Sequence, residues 1–156
     1  MHLLNLPSVD LKIRRQNDKD YVFDRLRKQY VRLTPEEWVR QHFIHYLIHE
    51  KQYPEGLLAN EVCISLGVVN RRCDTVLYDS FLQPLMIIEY KAPSVSISQK
   101  TFDQIMRYNY TLKVPWLIVS NGLQHYCYRI NEKGEASRLP NIPDWEELKT
   151  IISPIV

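Results

Sequence analysis

Two acidic residues of the chain lie where a solvated charge is not normally placed. Asp74 enters the strand-like run 75–77, and Glu89 ends the apolar run 85–88 and is followed two residues later by Lys91. Because residues two apart in a strand point to the same face, Glu89 and Lys91 should lie side by side. Carboxylates at the end of a hydrophobic strand are partly desolvated, and two of them brought together need a cation to offset their repulsion.

Metal-assisted hydrolysis of a phosphodiester is the chemistry that these residue types fit. Two carboxylates and the backbone carbonyl beside Glu89 are hard oxygen ligands suited to Mg²⁺, with Mn²⁺ as a substitute. A bound metal lowers the pKa of an attacking water, while Lys91 would hold or activate that water or stabilise the charged phosphorus centre. The alternative is structural: Asp74 is then a strand-edge charge, and Glu89 and Lys91 form a surface ion pair worth less than about 1 kcal/mol.

The sequence around these residues predicts an antiparallel sheet. Three strand-like segments are separated by short breaks, which makes them antiparallel neighbours: 58–66, 73–78 and 84–90. Asp74 then lies on the strand that pairs with the strand of Glu89. Because the run 85–88 is apolar at every position, helices should cover both faces of the sheet.

A second helix and two further strands complete the predicted sheet. Ser98 can cap a helix that ends before Pro115, and this crossover would place the next strand, 116–120, parallel to 84–90. The dipeptide Asn-Gly at 121–122 is a hairpin signal that leads into a partner strand ending at residue 130. The fold class expected from this order is α/β, a mixed β-sheet flanked by helices.

The 156 residues have the size and composition of one domain. We expect residues 1–33 to form an N-terminal extension with a hairpin, residues 34–130 to form the core, and residues 131–156 to form a tail with a short helix. The core should begin with a helix capped by Thr34, in which Glu37 can return a hydrogen bond to the cap.

Three histidines share the first helix at three- and four-residue spacing: His42, His45 and His49. They lack a third metal ligand, so a polar helix face is the expected interpretation. The cysteines, which form no CxxC pair, are expected to be buried, reduced thiols: Cys63, Cys73 and Cys127.

The candidate catalytic residues resemble those of a known nuclease superfamily. Asp74 with the triplet Glu-Tyr-Lys at 89–91 is similar to the PD-(D/E)XK signature, with Cys73 where the signature has proline. The stretch 104–108 is similar to the QxxxY element of one subgroup, found in the N-terminal nuclease domain of type I restriction enzyme R subunits. The stretch 34–41 resembles the opening helix of that domain.

This resemblance implies a restriction-endonuclease-like core and a Mg²⁺-dependent endonuclease that hydrolyses DNA in a restriction-modification system. Asp74 and Glu89 would ligate the metal, and Lys91 would serve the attacking water. Gln104 and Tyr108 would support the site or contact the DNA backbone from the second helix.

Further charged residues could extend this site. Glu37 or Glu61 is a candidate for an additional acidic ligand, although the capping role explains Glu37 without a metal. Arg71 and Arg72 with Arg107 form a candidate phosphate-facing group, and the alternative is a solvated charge cluster.

The resemblance, which covers residues 34–129, implies DNA as a partner. The net charge of +2 is too near neutral to identify a polyanion partner by itself. No Walker motif is present, so we expect either a free-standing nuclease that could dimerise or a module acting with a separate motor or specificity subunit. The competing function is a catalytically silent nucleic-acid-binding or assembly protein with the same fold.

Hydropathy gives the expected location. No run is long enough to span a bilayer, and the apolar residues at the N-terminus precede the charges, the reverse of a secretory signal. We therefore expect a cytoplasmic protein with no membrane partner.

Overall fold

The structure, a computed structural model, describes residues 2–152. Within that range, a few side chains stand outside the description: Leu66, Val69, Tyr108, Thr111, Ile151 and Ile152. The described chain contains two β-sheets and three α-helices, which confirms the predicted α/β class with a mixed, helix-flanked sheet.

A three-stranded antiparallel sheet occupies the N-terminal part of the chain. Its strands, in spatial order, are β1 (Ile13–Gln16), β2 (Lys19–Asp24) and β3 (Gln29–Arg32). The first two strands are the predicted hairpin, and its turn places Asn17 and Asp18 at φ 52° and 62°, which these residue types tolerate. The sequence pattern does not indicate β3, because its four residues are too short a run to distinguish from a loop.

Helix α1 (Pro35–His49) begins and ends close to where the sequence predicts. Thr34 is its N-cap, and the Thr34 hydroxyl accepts a hydrogen bond from the backbone N–H of Glu37 at 3.1 Å. The expected return bond from Glu37 to the cap is wrong, because the Glu37 carboxylate accepts hydrogen bonds from Arg40 and Gln41 instead. A single 3₁₀ turn, Glu55–Leu57, then leads into the main sheet.

The main sheet has six strands whose spatial order is also their order in the chain. They are β4 (Leu58–Leu66), β5 (Val69–Tyr78), β6 (Pro84–Tyr90), β7 (Trp116–Ser120), β8 (His125–Ile130) and β9 (Ala136–Leu139). Neighbours are antiparallel except β6 and β7, which are parallel and joined by helix α2 (Gln99–Leu112), so the predicted crossover is confirmed. The sequence places the start of β5 too late, at Cys73, and does not indicate the short edge strand β9.

Two apolar clusters cover the two faces of this sheet, as the continuously apolar sequence of β6 predicts. Met86 and Ile88 pack on the side of α1 with Phe43, whereas Ile87 packs on the side of α2 with Ile105. Since side chains alternate along a strand, Glu89 and Lys91 follow Ile87 onto the α2 side. The predicted C-terminal helix, α3 (Trp145–Ile152), completes the fold.

All three cysteines are free, as expected, but their burial differs. Cys73 and Cys127 are buried, whereas Cys63 is exposed, so the expectation of burial is wrong for Cys63. Its strand continues past the core, where Cys63 pairs with the exposed Arg72. Among the described residues, no helix has the length and apolar character needed to cross a membrane.

Candidate functional site

Asp74 and Glu89 meet where strands β5 and β6 leave the hydrophobic sheet. Thr75 pairs with Ile88 in the antiparallel ladder, so the next residues along, Asp74 and Glu89, stand opposite each other. One carboxylate oxygen of Asp74, Oδ2, accepts a hydrogen bond from the backbone N–H of Tyr90 at 2.9 Å. This bond fixes the Asp74 side chain against the strand that carries Glu89.

The two carboxyl groups are close enough to perturb each other. Burial raises the pKa of Glu89, and the negative charge of Asp74 and a hydrogen bond with it raise it further, to about 8. The guanidinium of Arg71, which contacts Glu89 through Nη2, acts in the opposite direction. Glu89 is only 8% exposed, whereas Asp74 is half-buried, so little water screens the charge of Glu89.

An open cavity of about 280 Å³ joins this pair to helix α2. The residues that line it include five of the predicted site residues: Arg71, Asp74, Glu89, Lys91 and Gln104. Lys91 is half-buried, and its amine forms no hydrogen bond or ion pair with the part of the chain that the structure describes. Among the described residues, Asp74, Glu89 and the unbonded Lys91 therefore lie around the same open cavity.

The remaining helix residues of the predicted site are less closely associated with this cavity. Arg107 is exposed on α2 and does not line the cavity. Tyr108 belongs to α2, and its side chain lies outside the described residues. The predicted QxxxY pair is thus represented at the cavity by Gln104.

Glu37 and Glu61 lie on the other side of Asp74, in a network of arginines. The buried Arg40 donates to both Glu37 oxygens, at 2.9 and 2.5 Å, and to Glu61 at 2.9 Å. Arg72 donates to the second oxygen of Glu61 at 2.5 Å. Burial alone would raise the pKa of Glu61, but hydrogen bonds and charge from Arg40 and Arg72 hold it below its ordinary value.

Arg40 also connects this network to the candidate site. Its Nη1 donates to the backbone carbonyl of Asp74 at 3.0 Å, beside the oxygen of Glu61 that it also holds. Glu61 has φ 57°, a left-handed conformation that is costly within a strand for a residue other than glycine. Asp74 is therefore positioned through its side chain by Tyr90 and through its backbone by Arg40.

The two candidate extra ligands line a second cavity with Asp74, but they do not line the cavity that Asp74 shares with Glu89 and Lys91. Their carboxylates are bonded to arginines, and among the described residues no three or more His, Cys, Asp or Glu side chains are arranged to hold a metal ion. The predicted phosphate-facing arginines are also divided: Arg71 contacts Glu89, and Arg72 pairs with Glu61.

Arg40 is the residue of this region that the sequence interpretation misses. A signal was present, since Arg40 follows Glu37 by three residues on a helix whose neighbouring positions, Val39 and Phe43, are apolar. An arginine flanked by core positions needs a buried acidic partner, which is what the structure shows.

Each histidine of α1 has a partner other than a metal ion in the described structure. His42 is buried, and its Nδ1 lies 2.8 Å from the carbonyl of Trp38. The prediction of a polar helix face is therefore wrong for His42. Nη1 of Arg25 lies 3.3 Å from Nδ1 of His45 and 3.2 Å from Nε2 of His49; both ring nitrogens act as acceptors because a guanidinium only donates. Burial and the Arg25 charge lower the pKa of His45 to about 4.

Comparison with known proteins supports a relation to one family. The family model described as the type I restriction enzyme R protein N terminus (HSDR_N) matches residues 35–143, well over half of the chain. No curated protein matches the chain significantly.

Two solved structures resemble the fold. A fragment described as an HsdR subunit of a type I restriction enzyme from Vibrio vulnificus YJ016 aligns at 18% identity with a TM-score of 0.52. The alignment covers 76% of this chain and 25% of the fragment, so the chain spans about a quarter of that protein. A DrdV–DNA complex aligns at 21% identity with a TM-score of 0.44, over 76% of this chain and 11% of DrdV. At these identities, the first match supports the fold alone.

Proposed function

We propose, from the premise that this chain belongs to the type I restriction enzyme R protein N-terminal family, that it is a Mg²⁺-dependent DNA endonuclease domain. Asp74, Glu89 and Lys91 are its proposed catalytic residues. The observation that carries the proposal is that Asp74, Glu89 and Lys91 line one open cavity, in which burial and the charge of Asp74 raise the pKa of Glu89 to about 8. Functional sites are where such perturbed groups concentrate.

The donor set at this cavity fits Mg²⁺. The ion is bound in enzymes through one or two carboxylates together with waters and substrate phosphates, which matches Asp74, Glu89 and the backbone carbonyl beside Glu89. A divalent cation would also relieve the repulsion that raises the pKa of Glu89. When bound, the ion would supply charge neutralisation at the phosphate and a lowered pKa for the attacking water. Mn²⁺ offers the same ligand chemistry.

The chain's own residues supply position and charge. The N–H of Tyr90 and the guanidinium of Arg40 hold Asp74 from two directions, so its carboxylate needs little reorganisation. Lys91 would donate hydrogen bonds to the attacking water or to the phosphate oxygens as negative charge develops there. Gln104 lines the cavity wall on α2 and would orient the substrate backbone.

The proposed substrate is DNA, and the proposed assembly follows from the family. The proposed partners are a separate motor or specificity subunit, or a second copy of the chain. A dimer would bring two sites to the two strands of a duplex.

Nicking of supercoiled DNA in Mg²⁺ or Mn²⁺ tests the proposal. Lys91→Ala should reduce the nicking rate by at least roughly a hundredfold, the usual cost of removing a group that stabilises transition-state charge. The matched control is Lys133→Ala, which removes an exposed lysine outside this cavity and should retain wild-type nicking. EDTA should abolish the activity. Equal nicking by both variants would refute the assignment.

A silent DNA-binding protein is the second candidate, and one observation favours it. The guanidinium of Arg71 already contacts Glu89 and supplies positive charge where the cation is proposed. Titration calorimetry with Mg²⁺, with DNA present, separates the two functions. Heat that disappears in Asp74→Asn supports the endonuclease, whereas no heat and no nicking, together with intact DNA binding, supports the silent protein.

A further inference from the structure

One face of the N-terminal sheet carries only basic, aromatic and amide side chains. Directly paired residues of antiparallel strands share a face, and Arg14 pairs with Tyr21, which in turn pairs with Arg32. Phe23 pairs with Tyr30 on the same face, because side chains alternate along each strand. Four cations belong to this surface, which we call the basic face: Lys12, Arg14, Lys19 and Arg32.

Aromatic rings support two of these cations. The guanidinium of Arg14 lies 4.1 Å from the centroid of the Tyr30 ring, and Nζ of Lys12 lies 5.6 Å from that of Phe23. The two rings pack edge to face, with centroids 5.4 Å apart. The cations are therefore held in place while they stay exposed, which lowers the entropy cost of ordering them on a ligand.

The acidic residues of the same strands point to the opposite face. Asp20 is bonded there to Arg15 at 3.2 Å, and Asp24 is completely buried. Val22, also fully buried, fixes that face against the body of the protein. The basic face thus carries four cations and, among β1–β3, no carboxylate, although the whole chain has a net charge of only +2.

One end of the basic face lies near the candidate site. Arg32 lines a second cavity, of about 340 Å³, that Asp74 also lines. The other charged residues of this cavity are the three arginines Arg27, Arg40 and Arg72 and the three acids Glu36, Glu37 and Glu61. The family match begins at residue 35, so the sheet that carries the basic face precedes the matched region. A ligand that follows the cations from Lys12 to Arg32 would arrive beside Asp74.

We infer that the basic face is a docking surface for the phosphate backbone of duplex DNA, which it leads toward Asp74. The inference rests on the proposed function for its choice of DNA among polyanions. The choice of a polyanion rests on charge complementarity, because a surface of cations without carboxylates binds a polyanion with release of the polyanion's counterions. Cations already cover the Phe23 and Tyr30 rings, so contact through these residues reads the backbone rather than the bases.

Fluorescence anisotropy with a labelled DNA duplex, in EDTA so that no cleavage occurs, tests the inference. The Arg14→Gln, Arg32→Gln double variant should bind roughly tenfold more weakly and lower the slope of log affinity against log salt by about 2. Arg15→Gln is the matched control, because it removes an adjacent exposed arginine from the opposite face. The control should keep the wild-type slope.

Several outcomes would overturn the docking surface. They are an unchanged slope in the double variant, an equal loss in Arg15→Gln, and displacement of the duplex by polyglutamate or by duplex RNA as effectively as by unlabelled duplex DNA. If the double variant unfolds, Arg14→Lys with Arg32→Lys replaces it, and this charge-preserving pair should retain the wild-type slope; loss of that slope would also overturn the inference.

The nicking assay distinguishes this inference from the proposed function. Weaker binding by the double variant, with no nicking by the wild type, supports the docking surface and removes the endonuclease. Nicking by the wild type, with unchanged DNA binding by the double variant, supports the endonuclease and removes the docking surface.

Discussion

Replacing Arg40 with methionine is expected to destabilise the protein strongly. The Arg40 side chain is 8% exposed and donates four hydrogen bonds, two to Glu37, one to Glu61 and one to the Asp74 carbonyl. Methionine preserves the apolar stem of Arg40 but removes its positive charge. The carboxylate of Glu37, which is 6% exposed, then has less positive charge beside it. Removing one partner of a buried ion pair costs about 3–5 kcal/mol, and the remaining bond from Arg27 favours the lower end, about 3 kcal/mol.

Urea denaturation measures this loss as a change in the free energy of unfolding at constant m-value. Arg72→Met is the matched control, because its side chain is 74% exposed and its bond to Glu61 should contribute less than about 1 kcal/mol. Adding Glu37→Gln to Arg40→Met should restore about 1 kcal/mol or more, since no uncompensated buried charge then remains. An Arg40→Met loss no greater than that of Arg72→Met would refute the reasoning.

Three further variants test the site and the connections between strands. Because the pKa of Glu89 is about 8 in the folded protein against an ordinary 4.5, Glu89 contributes stability that is complete below about pH 4.5 and lost as the pH rises through 8. Urea denaturation in EDTA should therefore show that the free energy of unfolding declines over this pH range in the wild type but not in Glu89→Gln. Identical pH profiles for the two proteins would contradict this expectation. Gly122→Ala should destabilise by about 2 kcal/mol, since its φ is 86° and an added Cβ would lie 3.1 Å from the buried Val39 side chain as well as 2.7 Å from a Leu4 methyl group, which can move. Gly67→Ala, at φ 63° with nothing within 4 Å, should cost only about 1 kcal/mol, and equal losses would argue against the contact.

Local signals were sufficient to predict α1, α2, the order of β4–β8 and the association of Asp74 with Glu89. The Thr34 cap, the Ser98 cap and the apolar run before Glu89 each act over a few residues, so one sequence contains all the information they need. The two-residue spacing of Glu89 and Lys91 similarly determines that they share a face once the strand is recognised. The site residues that the sequence predicts best are therefore those specified by strand geometry.

Contacts between residues that are far apart in the sequence could not be predicted in this way. Glu37 satisfies a local capping pattern, yet its carboxylate is also held by Arg27, whose approach depends on how α1 packs against the N-terminal sheet. Arg71 and Arg72 are adjacent in sequence, but strand alternation sends them to different acidic partners. Which acid each arginine meets depends on register and on the neighbouring strand, not on composition near the arginine.

The middle residue of the triplet at 89–91 shows how the two sheets are connected. Tyr90 is buried on the face opposite Glu89, and its hydroxyl donates to Thr75 at 2.9 Å. Thr75 donates to Asn60 at 2.7 Å, and the amide of Asn60 donates to Asp24 at 2.9 Å, at the end of β2. These bonds are buried, so each has a low-dielectric environment that strengthens it and makes its loss costly. These bonds thereby fix the N-terminal sheet relative to the strand of Asp74, as the proposed path of a DNA backbone from the basic face to the candidate site would require.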